Sequence, residues 1–368
     1  MLAIPKNMRA AVYRGPNDLR VETVPVPHVG PNELLVKVAA CGVCPTDIKK
    51  ILYATVPPPR IFGHETAGTV VKIGGRGASV LRFRIGDRVA LHHHVPCLDC
   101  HYCRHHAFAQ CAQYKRTGIT AGFEPAGGGF SEYVRVMPFV LPGVVKIPAR
   151  NSFEEGAMLE PVNTVLKAIK RLALLTGDNV LVAGQGPIGL IFTKLLQLRG
   201  INVLATDLLE SRLQLAKNFG AKWTELAQSP TCKTLDFGKR ILDAAILAVP
   251  SGDALEAAFQ RVRGAGQVLL FAHTKRPNPT IHKSNNPSIL PAGFWPADLS
   301  RICVDEKDLL GSYSADFTLQ REVARTVFSR RLDVRSLISH RFSLEKAAEA
   351  VHLAAHPTSG SLKIIVTN

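Results

Sequence analysis

The 368-residue chain reads as an α/β protein of two domains, one β-rich and irregular, the other a doubly wound parallel sheet. Three observations carry that reading. From Met8 to about Arg150, short apolar runs alternate with glycine and proline breaks. After Asn151 the pattern becomes strand, helix, strand, and these strands are apolar throughout, as in a sheet covered on both faces. The length also exceeds what a single hydrophobic core usually organises.

Composition narrows the class. Hydrophobic residues make up 46% and charged residues 20%, the balance of an ordinary globular protein. No apolar run has the length of a membrane span, and MLAIPKNMRAAVY lacks the apolar core and cleavage pattern of a signal peptide. A cytoplasmic location is expected. The formal charge of +16 raises contact with nucleic acid or an anionic membrane surface. The basic residues are dispersed, however, with no run longer than KRTG or SRRLDVR, so a solvated basic surface is expected and no specific partner of either kind.

In the first half, RAAVY, LRVETVPV, ELLVKVAACGV, AGTVVKIG, DRVAL and SEYVRV read as strands, and VPHVGPNE and TVPPPR as turns. The stretch from Cys41 to Glu65, CGVCPTDIKKILYATVPPPRIFGHE, carries chemistry. Cys44 is followed by the hydroxyl of Thr46 and the carboxylate of Asp47, and His64 stands between Gly63 and Glu65. Thiolate, imidazole and carboxylate are the donors zinc prefers. A hydroxyl beside an open coordination position is placed to pass a proton. Taken singly, Cys44 reads better as a small buried hydrophobe, and His64 as a satisfied core histidine.

Of the eight cysteines, four follow closely in PCLDCHYCRHHAFAQC: Cys97, Cys100, Cys103 and Cys111. Four thiols so close together predict a closed tetrahedral zinc site in a reducing compartment rather than disulfides, on a lobe spanning 95–113. His101, His105 and His106 are then expected to face solvent. His92, His93 and His94 lie just upstream; strand alternation would turn one or two of them towards the catalytic cleft, and an accidental polar run is an equal alternative.

Around Asn151 the character changes. NSFEEGAMLEPVNTVLKAIKRL predicts a helix capped by Asn151 or Ser152, with Glu154 and Glu155 in its first turn and an interruption at Pro161 beside Glu160. NVLVAG, INVLATD, AAILAV and GQVLLFAH follow as buried strands, with helices at GPIGLIFTKLLQLRG and LLESRLQLAKNFGA. The tail contains LLGSYSA, a helix from Gln320 to Ser329, the helix EKAAEAVHLA and a last strand LKIIVTN. No internal repeat is evident.

Gly184-Gln185-Gly186-Pro187-Ile188-Gly189 comes directly after the first of those strands and opens a helix, the context a dinucleotide-binding turn requires. Gly184 allows the tight turn, Gly186 lets a pyrophosphate approach, and Gly189 permits close packing, with the helix N-terminus facing the anion. Asp207 ends the next strand, where a carboxylate takes the ribose hydroxyls and repels a 2′-phosphate, so NAD is expected rather than NADP. Arg212 leaves an alternative, since a guanidinium there accommodates that phosphate, stacks on adenine or pairs with Glu210.

These motifs together resemble the zinc-dependent medium-chain dehydrogenase/reductase superfamily over essentially the whole chain. The matching residues are CGVCPTD, GHE, the four-cysteine lobe, GGGFSEY, Glu160-Pro161, and GQGPIG with Asp207. Glutamate at position 160 resembles the sorbitol (L-iditol) and threonine dehydrogenase-like branch. The resemblance implies a GroES-like catalytic domain at 1–156 and 303–368 and an NAD-binding Rossmann domain at 157–302.

The resemblance also implies two Zn2+ per chain. Cys44 and His64 would bind the catalytic ion with Glu65 or Glu160 as the third ligand, Cys41 would not, and Asp47 would orient His64. Cys97, Cys100, Cys103 and Cys111 would bind the structural ion. Gly184, Gly186, Pro187, Ile188, Gly189, Asp207 and Arg212 would hold NAD. Thr46 would hydrogen-bond the substrate oxygen and pass its proton on. Lys49 stands where many relatives place a relay histidine, and Pro45 where glycine is commoner. His93, Phe123, Glu124 and Tyr313 are candidates for the substrate pocket.

The expected activity is hydride transfer between NAD(H) and a secondary alcohol or polyol and its ketone, by a homodimer or homotetramer. The alternatives are a primary or aromatic alcohol as substrate, a zinc-free reductase of the same fold, or a zinc-stabilised nucleic-acid-binding protein. The third leaves GQGPIG and Asp207 without a purpose.

Overall fold

The strand Leu34–Gly42 lies inside the larger sheet of the first unit, paired with Lys363–Thr367, Glu65–Ile73 and Tyr133–Val136. The computed structural model describes residues 4–75, 77, 80–92, 95–113, 127–227, 241–272 and 299–368. The chain divides into two compact units, Met1–Thr164 with Ser314–Asn368, and Val165–Tyr313.

Among the described residues, the larger sheet of the first unit runs Ile338–Ser343, Lys363–Thr367, Leu34–Gly42, Glu65–Ile73, Arg88–Ala90 and Val145–Lys146, with Tyr133–Val136 as an added partner of Leu34–Gly42. A smaller antiparallel sheet joins Asp18–Pro25, Asn7–Gly15 and Arg60–Ile61. Side chains alternate across the Leu34–Gly42 strand. Leu34, Val36 and Val38 pack with Val70, Val89, Val134 and Val136 in one core, while Cys41 packs with Val43, Phe62, Phe130, Ile364 and Val366 in another. The helix Ala347–Ala355 covers that second core through Ala347, Ala350 and Val351. Two register pairs matter for function: Gly42 lies opposite Glu65 on one side and opposite Ile365 on the other. The strand Lys363–Thr367 therefore runs beside the end of the strand that leads to Cys44, whose other neighbour begins with Glu65.

The second unit contains a parallel sheet in the order Trp223–Leu226, Asn202–Asp207, Asn179–Ala183, Leu242–Leu247, Val262–Leu270 and Asp308–Gly311. Numbered along the unit this is 3-2-1-4-5-6, the doubly wound order expected from the apolar strands. Val180, Val182, Val203, Leu204, Ala244 and Ile246 are all buried, as a sheet covered on both faces demands. The order reverses beside Asn179–Ala183, and the glycine-rich turn leaves the carboxyl end of that strand, where such sheets bind ligands.

One sequence expectation needs correction. The helix after Asn151 is not interrupted at Pro161. It is two helices, Phe153–Ala157 and Leu159–Ile169, meeting at Met158. Pro161 sits in the first turn of the second, where a missing N–H has no intrahelical carbonyl to lose. The cap of the first is Ser152, whose hydroxyl accepts the Glu155 N–H at 3.1 Å while the Glu155 carboxylate accepts the Ser152 N–H at 2.7 Å. Glu160 is thereby turned inward and buried, rather than left at a break.

Candidate functional site

Cys44 leaves the Leu34–Gly42 strand and caps the helix Pro45–Tyr53; its sulfur accepts the Thr46 N–H at 3.5 Å. Glu65 begins the neighbouring strand, and His64 immediately precedes it. This antiparallel pairing converges one donor atom each of Cys44, His64 and Glu65 to within 4.8 Å of one another. His64 and Glu65 are buried and Cys44 is partly exposed. Thiol, imidazole and carboxylate at this separation suit zinc with room for a further ligand.

His64 Nδ1 lies 3.1 Å from Asp47 Oδ1, in the first turn of the Pro45–Tyr53 helix, which leaves Nε2 for an ion. Burial favours the neutral ring. The Asp47 carboxylate and Cys44 sulfur outweigh it, so His64 without metal holds its proton well above the ordinary histidine value. Protons and metal thus compete for this ring. Cys41 is fully buried, with its sulfur 3.4 Å from Thr66 Oγ1, and burial pushes its thiol up to about 12. It is an inert neighbour.

Of the two glutamates left open by the sequence, Glu65 lies within the converging group. Glu160 is buried beside it rather than in it. Burial pushes its carboxyl up to about 7; the charge of His64 works against this, and Glu65 adds to it. Thr46 is partly exposed in the first turn of the capped helix. Lys49 lies further along the same helix, its pKa drawn down by burial against the pull of Cys44.

Sequence reading missed Lys363. Its ammonium donates to Glu65 Oε1 at 2.6 Å and to the Val43 carbonyl at 2.9 Å, and it also touches Glu65 Oε2. Burial lowers its pKa, but Glu65, Cys44 and Glu160 raise it above the ordinary lysine value. The available signals were a lysine opening an apolar strand, LKIIVTN, and a glycine at Gly42. A Cβ on Gly42 would meet Glu65 Oε2 at 1.8 Å and Lys363 Cε at 2.9 Å.

The sulfurs of Cys97, Cys100, Cys103 and Cys111 also lie within 4.8 Å of one another. The contacts Cys97–Cys103, Cys100–Cys103 and Cys97–Cys111 measure 3.8, 3.5 and 3.7 Å. A tetrahedron whose centre is about 2.3 Å from each sulfur has an edge of about 3.8 Å, so these thiols fit one zinc and not a disulfide. The backbone N–H of Cys100 reaches the Cys97 sulfur at 3.4 Å, and that of Cys97 reaches the Cys111 sulfur at 3.5 Å. His101, His105 and His106 are exposed.

At the dinucleotide turn, Gly184 has φ +90°, a conformation side chains resist. A Cβ on Gly189 would meet the Gly184 carbonyl at 1.8 Å, whereas one on Gly186 would meet nothing within 4 Å. The space beside Gly186 is thus open at the N-terminus of the helix Pro187–Gln197, where backbone N–H groups favour an anion. Asp207 Oδ2 accepts the Gln185 N–H at 2.6 Å, and Oδ1 accepts the Leu209 N–H at 3.0 Å. Each oxygen keeps a second lone pair for a ribose hydroxyl. Arg212 is buried near Asp207, its pKa lowered by burial against that carboxylate.

His93, Phe123 and Glu124, with His94, lie outside the described residues; Tyr313 is exposed, and its carbonyl accepts the Lys167 ammonium at 2.7 Å. His92 is fully buried, against Gly143. Among the described residues no helix is long and apolar enough to cross a membrane.

Residues 30–149 match the alcohol dehydrogenase GroES-like domain family. The chain is 30% identical to a sorbitol dehydrogenase of Bombyx mori, with 97% of each chain covered. Its fold superposes on 2R,3R-butanediol dehydrogenase from Bacillus subtilis with a TM-score of 0.80 at 23% identity, covering 98% of this chain and 99% of that one. It likewise superposes on acetophenone reductase from Geotrichum candidum, solved with NAD, with a TM-score of 0.81 at 24% identity, covering 100% and 98%. A whole-length relative at that identity, together with the parallel sheet and the GroES-like half, places the chain: it belongs to the zinc-dependent medium-chain dehydrogenase/reductase superfamily, in its sorbitol dehydrogenase-like branch.

Proposed function

We propose that this protein oxidises a secondary alcohol or polyol, or reduces the corresponding ketone, with NAD(H), using one catalytic and one structural zinc. The observation that carries the reading is the convergence of Cys44, His64 and Glu65 in a chain that also presents an open anion site at Gly186.

Cys44, His64 and Glu65 would hold the catalytic ion, and the four cysteines of the lobe the structural one. When bound, zinc supplies Lewis acidity toward the substrate oxygen, and the nicotinamide supplies or accepts the hydride. Asp47 holds His64 in one tautomer and one orientation. Thr46 would accept the proton of the substrate hydroxyl while giving up its own hydroxyl proton, and Lys49, whose neutral form burial favours, would receive that proton and release it to solvent. Asp207 supports the choice of NAD over NADP, because a carboxylate there repels a 2′-phosphate. The polyol class is supported by the name of the Bombyx mori relative, and a vicinal diol by that of the Bacillus subtilis structure.

We place the enzyme in the cytoplasm, where its closely spaced free thiols would stay reduced. A homodimer or homotetramer is supported by the strand Asp308–Gly311, which ends its sheet among the described strands and exposes Leu309.

The test is NADH formation by zinc-loaded protein across polyols, amino alcohols and simple secondary alcohols, repeated with NADP. Turnover of vicinal diols with NAD is the expected result. Activity confined to primary or aromatic alcohols overturns the substrate assignment, and silence with two zincs per chain overturns the reading.

A further inference from the structure

Lys363 has a side chain only 7% exposed, and lysine is almost never so buried unless paired. Its ammonium reaches two parts of the chain at once. One is the carboxylate of Glu65, at 2.6 Å to Oε1 with Oε2 also in contact. The other is the carbonyl of Val43, at 2.9 Å, immediately before Cys44. The strand Lys363–Thr367 pairs antiparallel with Leu34–Gly42 and so carries this ammonium to the end of that strand, just before Cys44, where Gly42 lies opposite Glu65. Gly42 leaves the space in which the pair meets.

Charge gives the contact its meaning. Cys44, Asp47, Glu65 and Glu160 bring four acidic groups into one largely buried neighbourhood. A divalent ion offsets only part of that charge, and an uncompensated buried carboxylate is costly. An unanchored carboxylate also turns about its side-chain torsions, whereas one gripped by an ammonium presents a fixed direction to an ion on its other side.

We infer that Lys363 is a positioning residue of the catalytic metal site: it anchors Glu65 as a ligand and, through Val43, ties that ligand to the Cys44 turn. The inference rests on the reading of Cys44, His64 and Glu65 as a zinc centre. Lys363 acts only through Glu65, not on the substrate or the cofactor.

The test uses the full chain loaded with zinc, or with cobalt as a coloured substitute, and follows metal release to a chromophoric chelator. Lys363→Met keeps the length of the side chain and removes the charge. The catalytic-site ion is expected to leave about tenfold faster, the scale on which partners of metal ligands act. The cobalt absorption bands should shift, and the ion in the four-cysteine lobe should leave at its original rate. Glu65→Gln removes the partner, so adding Lys363→Met to it should change release by less than about twofold. That second comparison stands even if Lys363→Met alone fails to fold, because the double variant leaves neither charge unpaired. Release and cobalt bands unchanged in Lys363→Met, or a further tenfold effect on top of Glu65→Gln, overturns the role of Lys363 while leaving the metal centre intact. A wild-type chain that retains only the cysteine-lobe ion overturns the metal centre and the role of Lys363 with it.

Discussion

The Nδ1 atom of His64 lies 3.1 Å from Oδ1 of Asp47, a carboxylate with no exposed surface. The pair joins the helix after Cys44 to the strand that begins with Glu65, so one hydrogen bond sets both the aim and the tautomer of the imidazole. Asp47→Asn should keep the shape and lose the charge. Catalytic-site zinc affinity and kcat/KM should each fall by about 10–100-fold, with the cysteine-lobe zinc retained. Zinc titration beside steady-state kinetics checks this; unchanged affinity would make Asp47 a packing residue only.

The cysteine lobe makes a separate prediction. Cys103→Ser removes a buried sulfur from a shell of four and should lower bound zinc from about two ions to one per chain. Because zinc binding there is also folding free energy, the melting temperature should drop by several degrees, and chelation of wild-type protein should reproduce the drop. Metal analysis with calorimetry on the same samples decides it.

Two glycines of one turn should fail in opposite ways. Gly186→Ala adds a methyl group that meets nothing in the protein, so stability should hold while NAD binding weakens by about tenfold or more. Gly189→Ala drives a methyl group against the Gly184 carbonyl and should destabilise the second unit by about 1–3 kcal/mol. Thermal melts paired with NADH fluorescence titration separate the two outcomes.

Acid sensitivity should trace in part to Glu155. Burial pushes its carboxyl up, but the Ser152 N–H, the Asn151 amide and the Arg330 guanidinium together hold it below the ordinary carboxylate range. A carboxyl whose folded pKa is depressed adds stability above its unfolded pKa, near about 4.3, and that stability is lost as pH falls through the folded value. Glu155→Gln should therefore cost about 1–3 kcal/mol at neutral pH, and the loss should shrink on acidification. Denaturant melts at several pH values between neutral and acid would show it; a cost independent of pH would exclude ionisation as the cause.

Legibility in the sequence is local. GQGPIG announces itself because strand, glycines and helix succeed one another within a few residues, and the sheet order around it matches the apolar strands. Cys97 to Cys111 are legible for the same reason. Asn151 and Ser152 are both good caps on paper, and the reciprocal hydrogen bonds with Glu155 select Ser152. Pro161 misleads because proline breaks a helix interior yet suits a first turn, and only the boundary at Met158 tells which applies.

Lys363 lies beyond such reasoning. Its partner Glu65 is 298 residues away, and no periodicity connects a C-terminal strand to a particular carboxylate. The same distance problem leaves Glu65 and Glu160 as equal candidates in the sequence. Strand pairing brings Glu65 into the group with Cys44 and His64, while the helix after Met158 carries Glu160 to a buried place beside it.

The metal centre of Cys44, His64 and Glu65, distinct from the cysteine lobe, is the claim on which the proposed chemistry depends. Anomalous diffraction at the zinc edge from crystals of the zinc-loaded protein tests it most directly. Two peaks per chain are expected, one among the four cysteines and one in contact with Cys44 Sγ, His64 Nε2 and a Glu65 oxygen. A single peak in the lobe, or a second peak that leaves Glu65 uncoordinated, would contradict it.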